Sequence, residues 1–207
     1  MKLEKDFVLG LKEEYGDDYK LILKAIKFAD RKHKGAKRDD GTPYISHPMR
    51  VAEFVRKFKK SKNKTKLYIA ALLHDTIEDT YTSYTELCKK FGETSASIVM
   101  ELSTARFDSM WIEKSQKADY LSKKMSFMTN YALTVKFCDR LDNVLTLDGV
   151  TKEKRERTLA DTRYIIDFVS AARELTGTQK RVIAEIEKAM EKYKKESWLP
   201  WKWKKNC

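Results

Sequence analysis

The chain has 207 residues, 42% of them hydrophobic and 36% charged, so it can bury a sizeable core beneath a strongly polar surface. With only 7 glycines and 3 prolines it has few residues for tight turns, which favours long helices over a meander of strands. The net charge of +12 suits an anionic partner such as a nucleotide or a nucleic acid.

The cysteine content argues against two classes of protein. The 3 cysteines have no CxxC spacing, so a disulfide framework and a thiolate zinc site are both disfavoured and a reducing compartment is expected. The first residues, MKLEKDFVLGLKEEYGDDYK, are too charged for a signal peptide, and no apolar run approaches the length of a membrane span. The sequence therefore predicts a cytoplasmic protein without a membrane partner.

The predicted elements of the first half are helices separated by one clear loop. Apolar residues at helical spacing predict a helix over 19–34. The loop 35–48 follows, with two of the three prolines and two of the seven glycines of the chain. A helix over 49–58, a basic linker over 59–66 and a helix over 67–80 come next, and the last of these begins apolar and ends acidic.

The second half of the chain continues the helical pattern. Further helices are predicted over 84–92, 93–103, 117–126, 130–147, 153–175 and 178–195. No internal repeat and no convincing strand pattern accompanies them, so we predict an all-α fold, a single-domain helical bundle. The predicted domain covers 1–195, with the main motifs in 25–147 and supporting helices in 151–195.

A basic, tryptophan-rich tail is predicted over 196–207. It contains Trp198, Trp201 and Trp203, interleaved with lysines. Such a segment can stack on bases or lie at a membrane surface. It can also be an arm that docks on the domain or on a second subunit, and its short length without a sustained amphipathic period favours this second interpretation.

The stretch ALLHDTIEDT places four ionisable groups at the end of an apolar segment. In one continuous helix over 67–80, His74 and Glu78 share a face, as do Asp75 and Asp79. Such groups in a buried setting need a compensating cation or protons. A divalent metal is the simplest compensation.

Three separated motifs resemble a known family of metal-dependent enzymes. An adjacent His-Asp pair, an earlier histidine and a distant aspartate are the ligand set of the HD phosphohydrolase superfamily. The resemblance implies an HD-type helical bundle that binds one divalent ion through His47, His74, Asp75 and Asp139. Two imidazoles and two carboxylates suit Mn²⁺, Fe²⁺ or Zn²⁺ better than Ca²⁺, and the family implies Mn²⁺.

The details are similar to the RelA/SpoT-type (p)ppGpp hydrolase domain. RKHKGAKRDDGTPYISHP resembles its HxGxxR…GxPYxxHP segment, AALLHDTIEDT its AALLHDxxEDT, and VKFCDRLDN its KxADRxxN. The resemblance covers roughly 25–147 and implies a stand-alone small alarmone hydrolase. Such an enzyme hydrolyses the 3′-pyrophosphate of ppGpp or pppGpp, giving GDP or GTP and pyrophosphate.

The resemblance also implies roles for individual side chains. Glu78 and Asp79 match the ED pair and would orient and deprotonate the hydrolytic water. Arg38 matches an arginine that packs on the guanine, which suits a planar guanidinium. Asn143 and Thr146 match positions near the base and the ribose.

Other motif residues are interpreted as structural or stand out as departures. His33 would hold the loop, and Tyr44 would pack beneath it without touching substrate. Asp39 and Asp40 follow the family's arginine, where two negative charges beside an anionic nucleotide are unexpected. This departure bears on the substrate more than on the metal.

Two groups of alternatives remain open from the sequence. The same chemistry could act on another phosphate ester, either the 2′-phosphate of NADPH or a pyrophosphorylated tRNA 3′ end. A non-catalytic HD module that binds a nucleotide or RNA is a second class, disfavoured because no ligand or acid of the motifs is missing. The predicted partner is an anionic nucleotide, RNA stays open because of the basic charge and the tail, and no oligomeric state is predicted.

Overall fold

A computed structural model describes residues 4–60, 63–104, 112–113 and 115–197 of the protein. Within these ranges the chain forms eleven α-helices and two short 3₁₀ turns, at Gly16–Asp18 and Leu147–Gly149. The helices are α1 (Lys5–Tyr15), α2 (Tyr19–Lys32), α3 (Ser46–Phe58), α4 (Lys64–Leu73), α5 (Thr76–Asp79), α6 (Tyr84–Phe91), α7 (Glu93–Leu102), α8 (Lys117–Phe127), α9 (Asn130–Leu145), α10 (Lys152–Ala172) and α11 (Gly177–Ser197).

The predicted all-α class is confirmed. The described residues contain no β-strand, and their one isolated bridge pairs Lys37 with Pro43 across the loop after α2. Among the described helices, none combines the length and the apolar character that crossing a bilayer demands. Helix α11 reaches Ser197, and Trp198, Trp201 and Trp203 lie outside the described residues, so the predicted division into a domain and a tail stays a prediction.

Helix α4 is the centre of the core. Residues 67–73, seven of its ten, are buried, and each is at most 1% exposed. A helix that is apolar on all sides must be enclosed, and α4 packs on α2, α3, α7 and α9. Its carboxyl end therefore lies deep inside the bundle, which is where His74 follows.

The predicted continuous helix over 67–80 is wrong, because the chain breaks after Leu73. The Nδ1 of His74 donates to the Ala71 carbonyl at 2.8 Å, and the Thr76 hydroxyl donates to the Leu73 carbonyl at 2.7 Å. Side-chain donors of this kind compete with the backbone for helical carbonyls. His74 and Asp75 therefore occupy a turn between α4 and the four-residue helix α5, and the argument from shared helix faces does not apply to them.

Helix α3 begins earlier than the predicted loop 35–48 allows. It starts at Ser46, so His47 and Pro48 lie in its first turn. Proline is tolerated there because the first N–H groups of a helix have no partner within it. The His47 N–H donates to the Tyr44 carbonyl at 2.9 Å, which ties the start of α3 to the loop before it.

Helix α9 completes the frame of the site. The Thr129 hydroxyl caps its amino end by accepting the Ala132 N–H at 3.3 Å. The helix packs on α3, α7 and α11, and its buried face carries Asp139 and Asp142. Two acidic residues are thus placed inside the bundle opposite α3 and the end of α4.

We predict that Leu72→Ala lowers the free energy of unfolding by about 2–5 kcal/mol, because it opens a cavity in the enclosed helix α4. Leu72 is 1% exposed, whereas Leu9 on α1 is 55% exposed, so Leu9→Ala is the matched control and should change stability by less than about 0.5 kcal/mol. Urea unfolding followed by circular dichroism measures both values. Equal losses in the two variants would contradict the central position of α4.

Candidate metal centre and adjoining pocket

The structure brings the four predicted metal ligands together from three separate parts of the chain. His47 comes from the first turn of α3, His74 and Asp75 from the turn after α4, and Asp139 from the middle of α9. His47 and His74 are each 1% exposed, and Asp139 is 6% exposed. The cluster therefore lies inside the helical bundle and not on its outer surface.

The ligand atoms face one another at short range. His74 Nε2 lies 2.9 Å from Asp75 Oδ2, and His47 Nε2 lies 3.3 Å from Asp139 Oδ1. The other two imidazole–carboxylate separations are 3.7 Å, from His47 to Asp75, and 3.8 Å, from His74 to Asp139. Ligand atoms about 2.1 Å from one ion lie roughly 3 to 3.5 Å apart in octahedral or tetrahedral coordination. The observed separations are close to that spacing.

Asp139 completes the set from one side. The atoms of His47, His74 and Asp75 all lie within 4.8 Å of one another and could hold an ion by themselves. Asp139 borders both imidazoles, so the donor set becomes two nitrogens and two oxygens. Such a set fits a divalent transition metal.

The imidazole of His47 is held from behind by a carboxylate that the sequence analysis did not select. Its Nδ1 lies 2.6 Å from Oδ2 of Asp142, which is 0% exposed. Arg50 donates to both oxygens of Asp142, at 2.6 Å from Nε and 3.1 Å from Nη2. This arrangement places the Nδ1 proton towards Asp142 and directs Nε2 into the cluster.

A backbone carbonyl orients the His74 ring in the same way, with Nε2 towards the cluster. Its Nδ1 donates to the Ala71 carbonyl, so Nε2 carries the lone pair that points into the cluster. That Nε2 is buried without a hydrogen bond, because its contact with Asp75 lacks hydrogen-bond geometry. A buried ring nitrogen without a partner is unfavourable unless a cation accepts its lone pair. This is the observation that most directly fits a metal.

The charges around the cluster show how strongly it favours positive charge. Burial lowers the pKa of His47, but hydrogen bonds to Asp139 and Asp142 more than offset this and raise it to about 9. Lys136 lies 3.0 Å from Asp139 Oδ2, and although burial raises the pKa of Asp139, Lys136 and His47 hold it well below its usual range. The carboxylates are thus ready to bind a cation.

Glu78 and Asp79 lie beside the cluster on α5. The Thr104 N–H donates to Glu78 Oε2 at 2.9 Å, and the Tyr44 hydroxyl donates to Asp79 Oδ2 at 3.2 Å. Burial raises the pKa of Asp79, and the negative charges of Asp75 and Glu78 raise it further. Both predicted acids therefore sit next to the donor set, and Asp79 has an increased affinity for a proton.

Tyr44 reaches the site, contrary to the prediction that it only packs beneath the loop. Its hydroxyl donates to Asp75 Oδ2 at 2.5 Å as well as to Asp79. Its ring stacks on His33, with the ring centroids 4.6 Å apart and the planes at 30°. His33 is buried and has the structural position predicted for it, behind Tyr44. Tyr44 thus links a predicted ligand to a predicted acid.

The predicted substrate-binding residues form a polar chain that leads from the cluster to a small cavity. Arg38 donates from Nη2 to Asn143 Oδ1 at 3.0 Å and to Thr146 Oγ1 at 3.4 Å. Asn143 in turn donates from Nδ2 to Asp139 Oδ1 at 2.8 Å. A cavity of about 190 Å³ adjoins this chain and is lined by Arg38, Asp39, Arg140, Asn143, Thr146, Leu147, Val150, Lys154 and Thr158.

The two unexpected acids after Arg38 have local partners. Lys154 Nζ lies 2.8 and 2.7 Å from the two oxygens of Asp39 across the mouth of this cavity. Asp40 instead accepts hydrogen bonds from the Thr42 N–H and hydroxyl at 2.9 and 2.7 Å, which closes the turn of the loop. Lys154 therefore compensates the charge of Asp39 at the cavity, whereas Asp40 has a structural role in the loop.

The residues that sequence reasoning selected as donors come together in the structure, but most of the residues that hold them were missed. Asp142, Arg50, Lys136 and Tyr44 all contact a predicted ligand or its partner. Spacing along α9 was an available signal, because Asp142 follows Asp139 by three residues and shares its helix face. The contact of Asp142 with His47 joins two distant helices, and no local pattern contains it.

Three comparisons with known proteins bear on the family and the fold of the chain. The model of the HD domain family matches residues 25–176 of the chain, which confirms the predicted resemblance. The chain is 35% identical over 168 residues to guanosine-3′,5′-bis(diphosphate) 3′-pyrophosphohydrolase of Aquifex aeolicus, an alignment that covers 80% of this chain and 23% of that protein. The protein of the same name in Borreliella burgdorferi is 31% identical over 164 residues, with coverages of 77% and 24%.

The chain thus spans about a quarter of the length of these curated relatives. A solved structure of similar length is that of a metazoan ortholog of SpoT that hydrolyses ppGpp. It superimposes with a TM-score of 0.70 at 23% sequence identity and covers 84% of this chain and 95% of its own. This likeness supports the helical fold described above.

We predict that Asp142→Asn weakens Mn²⁺ binding by about 10–100-fold, because His47 loses the carboxylate that orients its ring. Isothermal titration calorimetry measures the dissociation constant, and thermal unfolding checks that the variant is folded. Asp148→Asn is the control, since Asp148 is 61% exposed and pairs with Lys192 away from the centre. An unchanged affinity in folded Asp142→Asn protein would show that this carboxylate does not act on His47.

Proposed function

The chain belongs to the HD domain family, and we propose that it hydrolyses the 3′-pyrophosphate of ppGpp or pppGpp to GDP or GTP and pyrophosphate. The observation that carries the proposal is the convergence of two buried, oriented imidazoles with the carboxylates of Asp75 and Asp139 beside Glu78 and Asp79. The names of its curated relatives supply the substrate. The arrangement itself supplies a donor set, a pair of acids and an adjoining pocket.

The proposed cofactor is one divalent ion, Mn²⁺, with His47, His74, Asp75 and Asp139 as its ligands. Fe²⁺ and Zn²⁺ accept the same donors, and the affinity of such sites differs between metals. When bound, the ion would polarise a phosphoryl oxygen and lower the pKa of water. The unpartnered Nε2 of His74 and the hydrogen bond behind His47 Nδ1 both support this assignment.

Asp79 and Glu78 are the proposed proton acceptor and orienting group for the attacking water. The raised pKa of Asp79 brings its proton affinity closer to that of an effective general base. The hydroxyl of Tyr44 holds Asp79 in place, and the Thr104 N–H fixes one oxygen of Glu78.

Arg38, Asn143 and Thr146 are the proposed contacts to the nucleoside. Hydrogen bonds to Asn143 and Thr146 hold the Arg38 guanidinium in one orientation, which suits stacking against a planar base. The cavity beside them accepts the base or the ribose, and its wall contains both Arg140 and Lys154. Asn143 also contacts Asp139, so a nucleoside held there lies next to the metal ligands.

A cytoplasmic location is part of the proposal. Cys88 and Cys138 are free thiols, as a reducing compartment allows. The nucleotide substrate is the proposed partner.

The experiment that tests this proposal is product analysis by anion-exchange chromatography. The full chain is incubated with ppGpp, with NADPH and with 3′-pyrophosphorylated tRNA, each with and without Mn²⁺. We expect Mn²⁺-dependent GDP and pyrophosphate from ppGpp. Asp75→Asn should reduce turnover by at least about 100-fold, since loss of a ligand costs more than loss of a ligand's hydrogen-bond partner.

Asp167→Asn is the matched control for that experiment, because Asp167 is 64% exposed on α10 and should leave turnover unchanged. Turnover of NADPH or tRNA in the absence of any turnover of ppGpp would contradict the proposed substrate. Tight binding of ppGpp without product would contradict the proposed enzyme and support a nucleotide-binding module.

We predict that Arg38→Met raises KM for ppGpp by about tenfold and changes kcat much less, since stacking on the base is equally strong in substrate and transition state. Lys37→Met is the control, because Lys37 is exposed and precedes Arg38 in the same loop. Steady-state kinetics at saturating Mn²⁺ measure both constants. A fall in kcat with KM unchanged would instead place Arg38 at the reacting phosphate.

A further inference from the structure

A stripe of exposed cations follows α2 on the side away from the core. It consists of Lys20, Lys24, Lys27, Arg31 and Lys34, all of them exposed, and we call it the α2 stripe. Residues three or four apart on a helix lie on one face with about 5–6 Å between their Cβ atoms. Lys20 and Arg31 lie eleven residues apart on α2, about 17 Å, and Lys34 follows in the turn after the helix ends at Lys32.

The charges of the α2 stripe are mostly not neutralised. Within the described part of the chain, Lys20 alone of the five has an ion pair, with the fully exposed Asp17 at 3.8 Å. Lys24 and Arg31 lie over the rings of Phe91 and Phe28, at 5.6 and 5.5 Å from the centroids. These contacts hold the side chains in place without removing their charge.

Two hollows flank the α2 stripe. One has a volume of about 480 Å³ and lies towards α6, where Lys90 adds a further cation. The other has a volume of about 370 Å³ and lies towards the loop after α2, where Lys34, Pro43 and the acidic Asp30 line it. Lys27 and Arg31 border both hollows, so they form a ridge between them.

An exposed aromatic residue is tied to α2 through Lys32, the neighbour of Arg31 in the sequence. Tyr81 is 93% exposed, and Lys32 fixes its backbone by donating to the Tyr81 carbonyl at 2.9 Å. The same Lys32 ammonium binds Glu86 at 2.9 Å, so this segment is tied to α2 and α6 together. The backbone of Tyr81 is thus fixed near α2, and its exposed ring has a flat apolar face.

We propose that the α2 stripe binds a single-stranded nucleic acid, with its cations on successive phosphates and a base stacked on Tyr81. Regularly spaced cations with a neighbouring aromatic ring are the two components of such surfaces. The proposed hydrolysis does not depend on it, since none of the metal ligands or acids belongs to the stripe.

Two other occupants fit the surface less well. A helix that lies on a membrane needs an exposed apolar face, whereas Phe28 is buried and Leu23 is half-buried beside the stripe. A protein partner would be expected to meet an apolar centre with a charged rim, whereas here the cations occupy the centre.

Fluorescence anisotropy with labelled oligouridylate about 12 nucleotides long tests the proposal, since single-strand sites span about 4–16 nucleotides. The stripe variant combines Lys24→Gln, Lys27→Gln and Arg31→Gln. We expect at least about tenfold weaker binding at low salt, and a plot of log K against log salt that is shallower by about 2, as the loss of three phosphate contacts requires. Oligothymidylate should behave in the same way, because phosphates and stacking do not distinguish the sugars.

The matched control combines Arg157→Gln, Lys180→Gln and Lys188→Gln, which removes the same charge from exposed positions of α10 and α11. It should bind as the unmodified chain does. Tyr81→Ala should weaken binding about tenfold without changing the salt dependence, because stacking is not ionic. Circular dichroism and ppGpp turnover verify that each variant is folded.

Several outcomes would overturn the proposal. The first is that the unmodified chain does not bind the oligonucleotide, and the second is that the stripe and control variants lose equal affinity. The third is that affinity is lost only when Lys202, Lys204 and Lys205 of the tail are changed to Gln. Binding to vesicles of phosphatidylserine but not to either oligonucleotide would assign the stripe to a membrane surface instead. Turnover of ppGpp is measured separately, so a failure of this proposal does not imply failure of the proposed hydrolysis.

Discussion

The contact between two buried imidazoles and two carboxylates is the constraint on which the rest of the structure depends. The Nε2 atom of each imidazole lies between 2.9 and 3.8 Å from the oxygens of Asp75 and Asp139. Burying such groups is costly unless positive charge compensates the carboxylates. Lys136 brings a cation to the outer oxygen of Asp139, and Arg50 binds Asp142, the carboxylate behind His47.

The bundle gives this cluster its rigidity through the helices that carry it. Helix α4 is enclosed on every side and ends at the site, so the position of His74 is set by core packing. Helices α3 and α9 are joined by the hydrogen bonds of Asp142 to His47 and Arg50. The packing of these helices thus determines the distances between the side chains of the cluster.

The sequence was sufficient for the helical class and for the donor residues, because both depend on local patterns. Apolar periodicity marks the helices, and motifs mark His47, His74, Asp75 and Asp139. The break after Leu73 could not be read from periodicity, because it arises from competition by the side chains of His74 and Thr76 for backbone carbonyls. Likewise Asp142 could be placed on the right face of α9 but not against His47, since that contact depends on how α3 and α9 pack.

The attachment of His74 Nδ1 to the carbonyl of Ala71 has a thermodynamic consequence. The unfolded chain cannot assemble ligands from α3, α4 and α9, so an ion held by them favours the native state by RT ln(1 + [M]/Kd), about 2.7 kcal/mol at a hundredfold excess over Kd. Linkage makes the dependence reciprocal: packing changes along α4 that tilt its last turn alter the affinity for the ion, and the ion in turn stabilises that turn. With the proposed ion bound, its supply and core packing are coupled, and a chelator is expected to lower the stability of all three helices that lead to the ligands.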